Sequence, residues 1–273
     1  MSTKPILFNT DMVRALLANR KTVTRRVVKP QPICYGLNST FEPHVKDFFL
    51  SADKNCLRCR VCGNDPEYSR EGSNVVHHWI PPYRPGDILY VRETWQEVYE
   101  TEFDANAPGS CVDIRSLIPN FDSIPKVKAG ISTNCSCSAM APRMKYYVFK
   151  ASDIEYADPT NGLIWRPSIH MPREAARIFL RVTDVRAERL QDITELDILE
   201  KEGVTVDFPQ PKPSYMSLAY TETRLKPAVR KAFVDLWNST IKPADRTLYG
   251  WDANPWAWVI EFERISREEA LYG

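Results

Sequence analysis

The sequence predicts an α+β protein: a small twisted sheet or partial barrel accompanied by a few helices. Strand-like apolar patterning recurs at 5–9, 88–95, 145–152, 177–190 and 256–265, separated by loops of unequal length. Helical spacing is confined to three short stretches, too few for alternating strand–helix units. There is no glycine-rich strand-to-helix phosphate loop and no Walker sequence, so a doubly wound nucleotide fold is disfavoured.

In chain order, PILFN at 5–9 reads as a short strand and Thr10 as a cap for the next segment. Met12, Val13, Leu16 and Leu17 form an apolar stripe at helical spacing, and Asn19 suits a left-handed helix terminus. Pro85, Gly86 and Asp87 make a turn into a strand over 88–95. Neighbouring strand residues face opposite ways, so of Arg92 and Glu93 one faces a cleft while the other forms an internal ion pair. Ile178, Leu180 and Val182 mark one face of the strand over 177–190, and Thr194 caps a short helix over 193–202. Val229, Phe233, Leu236 and Trp237 line a helix over 227–240 that begins at Pro227. The alternation over 256–265 closes the sheet, with Trp251, Trp256 and Trp258 as apolar locks.

The chain has 273 residues, 43% hydrophobic and 26% charged, which is ample for a core. Twenty-one prolines against ten glycines imply rigid loops more than flexible linkers. A net charge of +1 means that any polyanion site must be a local concentration of charge. The segment RKTVTRRVVKP is such a place, with Arg20, Lys21, Arg25, Arg26 and Lys29 within eleven residues. No apolar run is long enough to span a bilayer, and the N-terminal residues lack a secretory pattern, so a cytoplasmic, non-membrane protein with reduced thiols is expected.

Residues 34–80 and 96–145 read as irregular insertions into one core. They hold the seven cysteines. Cys59 and Cys62 have the C-x-x-C-G form that wraps two sulfurs around one metal, and Cys135 with Cys137 can complete a tetrahedral structural zinc site. Cys56, His77 and His78 are substitute ligands. A metal crosslink would organise stretches that apolar burial does not.

The segment LLANRKTVTRR resembles the ASCH signature of the PUA-like superfamily, with Asn19 where glycine is common, followed by Lys21, Thr24 and Arg25 or Arg26. RPGDILYVRETW resembles that family's proline-glycine-aspartate turn and strand. WRPSIHMPREAARIFLRVTDVRAERLQDITELDILEKEG and FVDLWNST with GWDANPWAWVIEFERI resemble uncharacterised bacteriophage and prophage ASCH-like proteins more closely still. The resemblance covers about 4–32, 82–95 and 145–265. It implies a single domain over 1–273, built as a PUA-like twisted β-barrel with peripheral helices.

The resemblance also implies binding of RNA, DNA or a modified nucleotide through a basic cleft. Arg20, Lys21, Arg25, Arg26, Arg92, Arg166 and Arg173 would contact phosphates, and Tyr83, Trp95 or Trp165 would stack on bases. His170 is a further candidate at that cleft. A second reading is an amidohydrolase of N4-acetylcytidine or a related nucleoside, since small family members of that activity carry a lysine, a threonine and a glutamate that match Lys21, Thr24 and Glu202. Lys21 would activate Thr24 or water, Glu202 would relay a proton to the departing amine, and Arg25 or a backbone amide would hold the oxyanion. A third reading is a phage accessory module that binds a host protein.

Overall fold

A computed structural model describes residues 3–32, 34–35, 43–44, 48–50, 57–59, 79–103, 111–118, 120–132, 143–152, 154, 164–206 and 225–272. The described strands are β1 (Thr3–Leu7), β2 (Val23–Val27), β3 (Cys34–Tyr35), β4 (Pro43–His44), β5 (Phe48–Leu50), β6 (Leu57–Cys59), β7 (Ile88–Arg92), β8 (Trp95–Tyr99), β9 (Thr101–Phe103), β10 (Cys111–Asp113), β11 (Val127–Ser132), β12 (Arg143–Phe149), β13 (Phe179–Arg189) and β14 (Trp256–Ile265). The helices are α1 (Thr10–Leu17), α2 (Ile114–Leu117), α3 (Glu195–Glu200), α4 (Lys226–Thr240), α5 (Arg246–Tyr249) and α6 (Arg267–Tyr272).

The mixed α+β class is as the sequence predicts, but the β-barrel is not formed. The main sheet has five strands in the order β1-β7-β13-β14-β2, and a separate sheet has three in the order β11-β12-β8. A barrel needs its first and last strands to pair, whereas β1 and β2 end the five-strand order as edges. Both sheets are therefore open. The stretch 96–145, read as irregular, contributes β8 and β11 to the three-stranded sheet. Its alternation was too short and too mixed with polar residues to register as a strand pattern.

The chain divides into two compact units. The first comprises Met1–Leu17, Ile88–Leu180 and Arg264–Gly273; the second comprises Ala18–Asp87 and Arg181–Glu263. In the first, β1 pairs in parallel with β7, Ile6 opposite Val91. β12 lies between β11 and β8, antiparallel to both. One apolar cluster joins Ile88, Trp95, Tyr147, Phe149, Met171 and Phe179, and the rings of Trp95 and Tyr147 meet edge to face at 5.4 Å. A second cluster gathers Val98, Ile114, Ile118, Phe121 and Val148.

In the second unit, β2 runs antiparallel to β14, with Arg25 opposite Val259 and Thr24 opposite Ile260. Helix α4 buries Val229, Phe233 and Trp237 at helical spacing against Leu190, Ile193, Ile198 and Ala257. Its opening proline sits in the first turn, where a missing amide hydrogen costs nothing. Trp256 and Trp258 are buried on β14, as expected of residues that lock this strand.

The helix ends follow from local chemistry. Helix α1 stops before Asn19, whose φ of 53° is the left-handed conformation that the sequence suggested. Its N-terminus is capped by Asn9, whose Oδ1 accepts from the Met12 amide at 2.9 Å; Thr10, the expected cap, is the first helical residue. Thr194 does cap α3, its Oγ1 accepting from the Asp197 amide at 3.1 Å. Thr194→Ala should lower unfolding free energy by about 1 kcal/mol in urea titrations, whereas Thr194→Ser should cost only a fraction of that.

Candidate functional site

The site grows from the end of α3 and the start of β2, both in the second unit. Gly203 takes a φ of 71°, so the chain can turn sharply after LEKE without a Cβ penalty. The exposed carbonyl of Lys201 is then captured by the amides of Thr22 and Val23, at 2.9 and 3.1 Å. Two otherwise orphaned features, a helix C-terminus and an edge strand, satisfy each other. The exchange sets Lys21 and Glu202 opposite one another as an antiparallel bridge.

At that bridge the Lys21 Nζ donates to Glu202 Oε2 at 2.8 Å and to the Glu202 carbonyl at 3.1 Å. Arg25, four residues further along, donates from Nη1 to the other carboxylate oxygen of Glu202 at 2.5 Å. One carboxylate thus holds two cations. All three are deeply buried, with relative exposures of 3% for Lys21, 7% for Arg25 and 4% for Glu202. Arg25 also faces Glu188 on β13, with Nη2 3.5 Å from Oε2. The Arg25 Nε is buried without a hydrogen-bond partner among the described residues.

Burial pushes the Lys21 ammonium below the ordinary lysine range, because the charged form loses its water. Glu202 opposes that drop, while the positive charges of Arg26 and Arg25 add to it. Arg26 is likewise lowered by desolvation, partly offset by Tyr83 and Glu202. Tyr83 is raised, chiefly by burial.

Thr24 is 2% exposed. Strand alternation puts it on the Arg26 side of β2, opposite the face that carries Arg25. Arg20 is exposed and donates to the Gly203 carbonyl at 3.1 Å. Lys21, Thr24, Arg25, Arg26, Arg20 and Glu202 are therefore assembled on two adjoining stretches of backbone. Arg92, Arg166 and Arg173 belong to the first unit. There Arg92 Nε donates to the Met171 carbonyl at 2.9 Å, the Arg166 guanidinium lies 5.3 Å from the Trp95 ring, and Arg173 lies 6.0 Å from the Tyr90 ring. Trp95 is buried at 4% exposure. Trp165 is partly buried and packs beside Val98 and Ile114, while His170 is exposed. Glu93 forms an internal ion pair with Arg177.

Cys59 ends β6, paired with Phe48. Cys62, Cys135, Cys137, Cys56, His77 and His78 lie outside the described residues. Among the described residues, no group of three or more metal-ligating side chains occurs, and no helix is long and apolar enough to cross a membrane.

Sequence reasoning missed Glu188 and Arg186. Arg186 is ringed by Glu188 and Glu261, which it hydrogen-bonds, and by Asp184 at 3.7 Å. The alternating run Asp184, Arg186, Glu188 was the available signal, since charges at every second strand position share one face. Comparison with known protein families, with curated proteins and with solved structures finds no match for this chain.

Proposed function

We propose that the second unit hydrolyses the amide of a small modified nucleoside, with N4-acetylcytidine as the first substrate to test. One observation carries this reading: a buried lysine whose proton is destabilised by burial faces a buried carboxylate at 2.8 Å. A surface that binds phosphates needs accessible cations. Lys21 and Arg25 are instead enclosed, and their charges are offset by Glu202 and Glu188. Desolvation of that kind favours proton transfer over salt-dependent phosphate contact.

In this reading Lys21 gives its destabilised proton to Glu202 and then takes one from a water molecule. The activated oxygen attacks the acetyl carbonyl, and the resulting oxyanion is stabilised by the unpartnered Arg25 Nε. The proton then passes through Glu202 to the exocyclic nitrogen as the carbon–nitrogen bond breaks, giving cytidine and acetate. The ASCH resemblance in RKTVTRR and LEKEG supports Lys21 and Glu202 in these roles.

Incubation of the purified chain with N4-acetylcytidine should release cytidine, measured by chromatography. Lys21→Ala should lower kcat by roughly 10²–10⁴-fold. Cytidine release should show no first-turnover burst, as expected when water is the nucleophile. No release by a folded wild-type protein, together with RNA retention that weakens as salt rises, would replace the hydrolase by a nucleic-acid reader.

A further inference from the structure

Resting on that reading, we propose that Glu188, held in place by Arg186, is a positioning residue for the reaction. It fixes the Arg25 guanidinium and, through it, the Glu202 carboxylate that faces Lys21. The charges form an unbroken alternating chain within the second unit: Lys21, Glu202, Arg25, Glu188, Arg186, Glu261. It runs from side chains that are 0% and 4% exposed to ones about a third exposed, at 30%, 29% and 34%. The inner end is therefore dry and the outer end reaches solvent.

The chain has a mechanical reason. Glu202 must share one carboxylate between Lys21 and Arg25, and an arginine bonded only to Glu202 is free to swing about its long stem. A second carboxylate on the other guanidinium nitrogen removes that freedom and leaves Nε as the donor not committed to the ring of acids. Glu188 in turn is fixed because Arg186 hydrogen-bonds it and Glu261 together. Three strand positions two residues apart, Asp184, Arg186 and Glu188, put this support on one rigid face of β13.

Glu188 also adds a negative charge beside Arg25. Glu202, Arg26 and Arg25 are among the charged groups that act on Lys21. Asp197, itself bonded to Lys201, couples to Arg25; Tyr83 couples to Arg26; Lys201 couples to Glu261 and Arg186. Within this nearly balanced set, removal of one negative charge makes a proton on Lys21 harder to hold, and removal of one positive charge does the reverse.

The test measures Lys21 directly and by turnover. In protein carrying ¹³Cε-lysine, with the Lys21 resonance assigned by its loss in Lys21→Arg, Glu188→Gln should move the Lys21 titration midpoint down by about one pH unit. Arg186→Gln should move it up, and Glu188→Asp should restore it. The exposed pair variant Glu263→Gln should leave it unchanged. With N4-acetylcytidine, Glu188→Gln should lower kcat roughly tenfold to a hundredfold with little change in KM, and the acidic limb of its pH profile should move to lower pH. An unmoved midpoint in folded Glu188→Gln overturns the proposal. If that variant does not fold, an unmoved or lowered midpoint in Arg186→Gln overturns it instead. Shifted midpoints without turnover by the wild type support the charge chain and overturn only the hydrolytic reading.

Discussion

Glu202→Ala should destabilise the protein by about 3–5 kcal/mol, because it strands the buried Lys21 ammonium and leaves Arg25 with Glu188 as its one carboxylate partner among the described residues. Lys21 and Arg25 side chains are 0% and 3% exposed, so water cannot replace the lost carboxylate without opening the structure. Equilibrium urea unfolding at pH 7 is the measurement. The deficit should depend on pH with a definite sign. Burial already depresses Lys21 below the ordinary lysine range, and loss of Glu202 removes the main force that opposes this. Between the depressed folded pKa and the unfolded value near 10.5, the unfolded chain binds more protons than the native one. Stability lost to the stranded ammonium is therefore recovered as pH rises through that window. Measured against the wild type, whose Lys21 is depressed less, the deficit should shrink between the two folded pKa values and stay level above them. A deficit that is constant with pH would mean that Lys21 is not the stranded charge. Lys21→Met combined with Glu202→Ala should cost less than the sum of the single changes, since the pair is in direct contact.

Arg177→Ala should cost about the same, 3–5 kcal/mol, but with the opposite pH dependence. Glu93 is 1% exposed and receives both Arg177 Nε and Nη2 at 2.8 Å, a two-pronged pairing. The guanidinium also donates to Ser152 Oγ at 3.0 Å and lies 4.2 Å from the Phe149 ring. Burial raises the Glu93 carboxyl above its usual range, and Arg177 is what opposes the rise. Without Arg177 the folded pKa climbs further, and the native state holds a proton that the unfolded chain releases. Stability then falls as pH rises from the unfolded value of about 4.5 through the raised folded one. The Arg177→Ala deficit should thus be small at pH 5 and large at pH 8, and adding Glu93→Gln should flatten it. Thermal melts across that range read both. The two variants together separate a buried cation from a buried anion by sign alone.

The candidate site was legible in part because its residues are close to one another in two short stretches. Lys21, Thr24 and Arg25 sit in one segment, and Glu202 closes a helix whose cap at Thr194 and turn at Gly203 are local signals. Those signals need only a few neighbours: a side-chain oxygen three residues from an amide, or a glycine free to take positive φ. The strand over Trp256–Ile265 was equally plain, since its apolar load is unbroken enough to fix its period. Glu188 was harder to see. Its partner on β2 is 163 positions away, counting from Arg25, and nothing local marks it.

The sequence by itself determined the end of α1 at Asn19, the cap of α3 at Thr194, the α4 face of Val229, Phe233 and Trp237, the closing strand and the identities of the charged residues at the site. These follow from interactions spanning a few residues, which any conformation of the chain must offer. Tertiary structure alone decided that the sheets stay open, that 96–145 supplies strands, and that Lys21 and Arg25 are enclosed while Arg20 stays exposed. Strand order and burial depend on which distant segments pair. A charge reads the same in sequence whether it meets water or a carboxylate brought from far along the chain.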